Sequence, residues 1–99
     1  MSYVTTQPEA LTATAATLAG VGVTMSAQNS AASAPTTGVV PAAADQVSVL
    51  AATQFAVHAQ MYQAVSAQAE AIHQQFVTAL ETSAHSYAAA EATNAIAAR

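Results

Sequence analysis

Residues 42–90 read AAADQVSVLAATQFAVHAQMYQAVSAQAEAIHQQFVTALETSAHSYAAA and contain neither proline nor glycine. Such a stretch predicts one helix of about 74 Å, at 1.5 Å per residue, which is longer than a compact monomer of this size would use. Its large apolar residues form one broad stripe, and others lie on neighbouring faces. The stripe contains Leu50, Val57, Met61, Val65, Ile72, Phe76, Leu80 and Tyr87, and the neighbouring faces carry Val47, Phe55, Tyr62 and Val77.

A shorter helix is predicted upstream, from about Gln7. Thr6 is placed to accept hydrogen bonds from free backbone N–H groups of the first turn. Glu9, three residues later, stands where the carboxylate of a capping box accepts the backbone N–H of the capping residue. Pro8 is tolerated in a first helical turn, because its missing N–H is unpaired there in any case. These residues predict the start of the first helix.

The first helix is predicted to end at about Ser33, because the residue before Pro35 avoids the α conformation. A connection over about 34–41 is short enough to fold the second helix, about 42–90, back antiparallel, with Asp45 in its first turn. A flexible tail would follow. The fold class is therefore all-α, a two-helix hairpin in a single domain of residues 1–99. Seven-residue spacing marks the seam of the first helix at Leu11, Leu18 and Met25, with the small residues Ala15, Gly22 and Ala32 between and after them.

The composition indicates a thin core. Of 99 residues, 29 are alanine, and the chain has three Tyr, two Phe and no Trp. Burial of a methyl group contributes about 0.8 kcal/mol, whereas ordering a residue costs about 1.5 kcal/mol of conformational entropy. We therefore expect the hairpin to be half of a four-helix bundle completed by another chain.

The charge excludes several functions. One basic residue, Arg99, against five acids gives a net charge of −4 and nothing to neutralise phosphates, so nucleic-acid binding is not expected. The scarcity of Lys and Arg also argues against an anionic membrane surface and a secretory signal peptide. No uninterrupted apolar run approaches the ~20 residues that span a bilayer. Without cysteine, neither disulfides nor thiolate metal sites form.

Catalytic and metal sites are not indicated. His58, His73 and His85 are separated by 15 and 12 residues, not by the three or four that place two ligands on one helical face. No Gly-x-Ser-x-Gly element is present, and Gly20-Val21-Gly22 follows no strand, so neither a serine hydrolase nor a phosphate loop is predicted. We expect no enzyme activity and no cofactor.

Tyr87 and Glu91 stand one helical turn apart near the end of the second helix. An aromatic residue four positions before an acid is common by chance. Taken alone, the pair indicates only the solvated end of a long helix.

A set of residues spread over the whole chain changes this reading: Met1-Ser2-Tyr3-Val4, Pro8-Glu9, Leu11, Ala15-Ala16, Leu18, Gly22, Ala34-Pro35-Thr36-Thr37, Pro41-Ala-Ala-Ala-Asp45-Gln-Val-Ser48, His58, Tyr62-Gln63, His73 and Phe76. With these residues the chain resembles the PE domain of mycobacteria, whose family motif is the Pro8-Glu9 pair. The resemblance departs from the usual pattern at Tyr3, where Phe is commoner, and at Gln46, where Glu is common.

The resemblance implies a specific role. PE proteins pair with a PPE protein in a four-helix bundle, which is made in the cytoplasm and exported folded by a type VII secretion system to the cell surface or medium. Tyr87 and Glu91 match the family's Tyr-x-x-x-Asp/Glu export signal. The PPE partner is expected to supply a Trp-x-Gly element and to bind the cytosolic chaperone. The expected partner interface comprises Leu11, Leu18, Met25, Leu50, Val57, Met61, Val65, Ile72, Phe76 and Leu80.

Two other hypotheses remain at this point. Long amphipathic helices are compatible with a lipid-associated protein that contributes to permeability or nutrient uptake in the outer envelope, although the polar faces lack the usual Lys and Arg. Some longer relatives carry an esterase domain, but this sequence has no nucleophile elbow to support that activity. We expect a short family member without a C-terminal extension.

Overall fold

A computed structural model describes residues 4–99 of the chain. Those residues form two α-helices and no strand: α1 spans Pro8–Thr37 and α2 spans Gln46–Ala97. The all-α prediction is therefore confirmed. Met1, Ser2 and Tyr3, which carry part of the family resemblance, lie outside the described residues.

The described residues divide into two compact units. The terminal unit consists of residues 4–21 and 73–99, and the loop unit consists of residues 22–72. Each unit contains one segment of α1 and one segment of α2.

The end of α1 differs from the prediction. The helix continues through Pro35 to Thr37 instead of ending at about Ser33. The Gly38 N–H closes its last turn on the Ala34 carbonyl at 3.0 Å, and the Thr37 hydroxyl donates to the Ser33 carbonyl at 2.7 Å. These bonds satisfy carbonyl groups that the end of a helix leaves free, so a proline in the final turn is tolerated.

The start of α2 is fixed by Asp45, which precedes the helix instead of lying in its first turn. Its Oδ1 accepts the Ser48 N–H and its Oδ2 accepts the Ser48 hydroxyl, both at 2.8 Å. These bonds, the backbone one first, hold the pKa of Asp45 below its ordinary value, because they favour the ionised carboxylate. Asp45 is thus an N-cap, and the connection between the helices is shifted to residues 38–45.

The C-terminal end of α2 also differs from the prediction. We expected a flexible tail after about residue 90, but α2 continues to Ala97. Residues 91–98, EATNAIAA, are half alanine, which has the highest helix propensity. Tyr87 and Glu91 consequently both lie within a helix.

Small side chains form the seam of the loop unit. On α2, Ala52, Ala59 and Ser66 are buried at seven-residue intervals. On α1, Ser26 and Asn29 are half-buried. Seven residues are close to two helical turns and three are close to one, so the members of each group lie on one side of their helix.

The terminal unit packs slightly larger residues. Ala15, Val77 and Ala84 are 0–2% exposed, and Val77 is the largest fully buried side chain among the described residues. The sequence pattern placed Val77 on a face beside the main stripe, and in the structure that face is the buried one. Val77 lies seven residues before Ala84, and both are buried on the same side of α2 within the terminal unit. The neighbouring Phe76 is 53% exposed.

By length and composition alone, α1 is apolar enough to cross a membrane. Its most apolar 18-residue window has a mean hydropathy of 1.4, and little of that window is buried within the chain. The sequence contains no uninterrupted apolar run of that length, but the alanines and valines of α1 raise the mean hydropathy of the window despite the threonines between them. Core helices of soluble proteins pass the same test, so the observation is weak evidence for a membrane span.

Candidate functional site

The loop unit exposes most of its large apolar side chains on α2. Ala52 and Ala59 belong to the buried seam of the loop unit. Leu50 and Val57 each precede one of them by two positions. Two positions on a helix correspond to a rotation of about 200°, so these larger side chains lie on the far side of α2. We call this surface the outer stripe. Its members are 45–65% exposed: Leu50, Val57, Met61, Val65 and Ile72.

The other residues assigned to the partner interface lie in different surroundings. Met25 and Phe76 are about half exposed. Leu11, Leu18 and Leu80 are half-buried within the terminal unit, where they contribute to packing between α1 and α2. Contact with a partner stays a prediction for all of the assigned residues.

A polar cluster joins the two helices within the loop unit. The Asn29 side-chain amide donates to Glu70 Oε1 at 2.9 Å, and its Oδ1 accepts the Tyr62 hydroxyl at 2.8 Å. The Gln63 side chain donates to the Asn29 carbonyl at 3.1 Å. The apolar pattern contains Tyr62 but does not predict the cluster, although Gln63 and Glu70 have the seven-residue spacing of the seam.

The two residues of the matched export motif differ in environment. Tyr87 is 47% exposed. Glu91 is half-buried, and its Oε1 accepts hydrogen bonds from the Thr6 N–H at 3.2 Å and the Thr6 hydroxyl at 3.0 Å. The motif therefore has one accessible ring and one carboxylate held by the segment that precedes α1.

This contact replaces the predicted capping box. Thr6 bonds to Glu91 instead of capping α1, and the Gln7 carbonyl accepts the N–H groups of Ala10 and Leu11. Gln7 is therefore the N-cap and Pro8 is the first helical residue. The sequence analysis missed the Thr6–Glu91 pair, because 85 positions separate the two residues and no local pattern connects them.

The Pro8-Glu9 motif lies beside an open groove in the terminal unit. Pro8 is buried and Glu9 is exposed. Alanines form much of the lining, so the groove offers few polar groups to orient a ligand. Its volume is about 390 Å³, and it is lined by Pro8, Glu9, Thr12, Ala13, Ala16, Ala84, His85 and Ala88.

The three histidines lie in separate environments. His58 and His85 are exposed, and His73 is half-buried with its Nε2 2.6 Å from the Leu18 carbonyl oxygen. That distance gives His73 a structural role, as a link between α2 and α1 in the terminal unit. Among residues 4–99 no three His, Cys, Asp or Glu side chains are grouped to hold a metal ion.

Comparison with known proteins identifies the family. The PE family profile matches residues 4–94. The chain is 61% identical over 98 residues to PE family protein PE13 of Mycobacterium tuberculosis H37Rv, which covers 99% of both chains. It is 58% identical over 95 residues to PE_PGRS33 of the same strain, or 96% of this chain and 19% of that protein. It is 56% identical over 95 residues to PE_PGRS8 of that strain. This match covers 96% of this chain and 54% of PE_PGRS8.

All three matches cover nearly the whole of this chain, but they cover different shares of the relatives. The chain spans nearly the full length of PE13 but about a fifth of PE_PGRS33 and about half of PE_PGRS8. The region shared with the longer relatives is thus the region that this chain also shares with PE13. The chain belongs to the PE family.

Proposed function

We propose that this PE protein is a non-enzymatic interaction protein that forms a heterodimer with a PPE protein. The outer stripe is the observation that carries the proposal. It leaves large apolar side chains in water on α2, while alanine and serine occupy the seam inside the hairpin.

The distribution of apolar side chains favours a partner energetically. Full burial of a Val, Leu, Ile or Met side chain is worth about 1.5–3 kcal/mol, whereas an alanine methyl contributes about 0.8 kcal/mol. The members of the outer stripe therefore offer more stabilisation than the buried seam of the loop unit. A second pair of helices packed on the stripe would complete a four-helix bundle. PE proteins in general pair with PPE proteins, which makes a PPE chain the natural source of those helices.

Export is the second part of the proposal. The heterodimer is made in the cytoplasm and leaves folded through a type VII secretion system, to the cell surface or the medium. The half-exposed ring of Tyr87, one turn from Glu91, supports a role in recognition by the secretion machinery. The cytosolic chaperone acts through the PPE partner.

Co-expression with the PPE proteins of the same genome, one at a time, tests the pairing. Each PPE protein carries an affinity tag, and the purified material is analysed by size-exclusion chromatography with light scattering. We expect a complex with one copy of each chain. Recovery of every PPE protein without this chain, while both are soluble in the lysate, would contradict the proposal.

A lipid-associated role is the second candidate, and the apolar composition of α1 favours it. The single basic residue, Arg99, argues against binding to anionic lipid. Flotation with liposomes separates the two candidates. The PE–PPE complex stays at the bottom of the gradient under the first proposal and floats with the vesicles under the second.

A further inference from the structure

The carboxylate of Glu91, near the end of α2, is hydrogen-bonded to the segment that precedes α1. Its Oε1 accepts both the N–H and the hydroxyl of Thr6, at 3.2 and 3.0 Å. Thr6 immediately precedes Gln7, the N-cap of α1. The contact therefore joins the start of α1 to the last three turns of α2 within the terminal unit.

We propose that Thr6 is a third functional residue of the export signal and that Glu91 is a positioning residue, with Tyr87 as the group that the secretion machinery reads. The inference rests on the proposed function, because it concerns the signal assigned there. It differs from a simple two-residue signal in giving Glu91 a partner inside the chain.

The position of the contact explains why such an anchor matters. Pro8, the first residue of α1, lines a groove with Ala84 and Ala88, so α1 begins beside this part of α2. Residues of α2 beyond this point have little of α1 to pack against, and the ends of helices fray where packing is absent. The Thr6–Glu91 contact lies one turn beyond Tyr87 and holds that part of α2 in place.

The chemistry of the contact also favours an anchor. The Thr6 N–H lies before the first turn of α1, where no backbone acceptor within the helix is available. A carboxylate there gives this donor a partner and interacts favourably with the positive end of the helix dipole. Glu91 therefore has a structural use for its carboxylate without any contact to the secretion machinery.

Four variants in the co-expressed PE–PPE complex test the proposal. Glu91→Gln keeps an oxygen that accepts both Thr6 bonds, whereas Glu91→Ala removes it. Thr6→Val removes the hydroxyl but keeps the branched shape, and Thr6→Ser restores the hydroxyl. The matched controls are Thr5→Val and Glu81→Ala, which alter exposed residues of the same types.

Three readouts are taken for each variant: co-purification with the PPE protein, the secreted fraction in mycobacterial culture, and hydrogen exchange at the Thr6 amide in the purified complex. We expect all variants to pair. Glu91→Ala and Thr6→Val lose most of their export, while Glu91→Gln, Thr6→Ser and both controls retain it. Exchange at the Thr6 amide accelerates by about tenfold or more in Glu91→Ala, as expected for loss of a charge-assisted hydrogen bond, and stays slow in Glu91→Gln.

Two results would overturn the inference. One is loss of export in Glu91→Gln while the Thr6 amide stays protected, because the machinery would then read the charge itself. The other is normal export of Thr6→Val. Tyr87→Ala distinguishes failure of the Thr6 proposal from failure of the proposed function. Normal export of Tyr87→Ala would show that the Tyr87–Glu91 motif is not an export signal at all.

Discussion

The side-chain amide of Asn29 on α1 lies 2.9 Å from Glu70 Oε1 on α2 and donates a hydrogen bond to it. Polar pairs in a helix seam specify register, because sliding one helix by a turn leaves a donor and an acceptor unpaired. The surrounding seam is built from alanine and serine, which fit many registers equally well. The Asn29 cluster therefore gives the loop unit a specificity that its small side chains do not provide.

Asn29→Ala is expected to destabilise the PE–PPE complex by about 1 kcal/mol, because the half-buried Glu70 carboxylate loses a hydrogen-bond donor, whereas the exposed Tyr62 hydroxyl can bond to water instead. The Gln63 bond survives, since it goes to the backbone carbonyl. Urea unfolding of the complex measures the change. Asn94→Ala, at an exposed position of α2, is the control. Equal midpoints for the two variants would show that the cluster contributes nothing.

Val77→Ala is expected to cost about 2 kcal/mol. Val77 is 1% exposed, so the substitution removes two buried methyl groups and leaves a cavity. Thermal unfolding of the complex followed by circular dichroism gives the measurement. Val40→Ala removes the same atoms from a side chain that is 82% exposed and should leave the transition unchanged. A Val77→Ala complex as stable as the Val40→Ala complex would place Val77 outside the core.

Met61→Asp is expected to abolish pairing with the PPE protein. Met61 is 63% exposed in this chain, so an aspartate there is hydrated until the partner covers it. Complex formation would then bury an unpaired charge, which costs several kcal/mol. Gln60→Asp is the control, because it adds the same charge one position away at an exposed polar residue. Retention of Met61→Asp on the tagged PPE protein would exclude the outer stripe from the interface.

Phe76→Asp is also expected to prevent pairing, because Phe76 is 53% exposed in this chain and an aspartate there would be buried unpaired in the complex. Leu18→Asp should also prevent pairing, but for a different reason. Leu18 is half-buried, and its carbonyl lies 2.6 Å from His73 Nε2, so the substitution acts on the hairpin itself. Phe76→Asp is therefore the more specific of the two tests.

Tyr87→Ala is expected to leave the complex intact and to stop its export. The ring is 47% exposed in the chain, so its loss removes little packing. Comparison of the PE protein in culture filtrate and cell pellet measures export, and co-purification measures pairing. Tyr87→Phe keeps the ring and tests whether the hydroxyl is required. Dissociation of the Tyr87→Ala complex would make Tyr87 an interface residue instead of a signal.

The pKa of Asp45 should depend on its hydrogen bonds from Ser48. The Ser48 N–H and hydroxyl bind the ionised carboxylate, so the pKa in the folded state lies below the unfolded value. The stabilisation is therefore fully present above the unfolded pKa and is lost as the pH falls through the lowered folded pKa. Ser48→Ala should raise the pKa partway towards its ordinary value, as measured by an NMR titration of the complex. Ser83→Ala, at an exposed site on α2, should not change it.

The sequence was sufficient to predict two long helices, because proline and glycine are concentrated in and before the connection and are absent from residues 42–90. For the seam it was sufficient only in part. The small residues predicted for the α1 seam, Ala15, Gly22 and Ala32, are buried or half-buried, whereas Met25 is half exposed. On α2 the pattern selected large apolar residues and did not detect the buried seam of the loop unit, which consists of alanine and serine.

Contacts between residues distant in sequence were also beyond prediction. Thr6 and Glu9 satisfy the local pattern of a capping box, but Glu91 lies close enough to take both donors of Thr6. A local rule gives the preference of a segment in isolation, and a tertiary contact overrides it. For the same reason, the pattern at Tyr87 and Glu91 did not reveal that the two side chains differ in exposure.

The central claim is that this chain is half of a helical bundle and depends on its partner for stable folding. Far-UV circular dichroism with thermal unfolding, on the purified chain alone and in complex with the PPE protein, tests it most directly. We expect the chain alone to be poorly helical or self-associated and the complex to be strongly helical with a cooperative transition. A soluble, helical monomer that unfolds cooperatively without the PPE protein would contradict the claim.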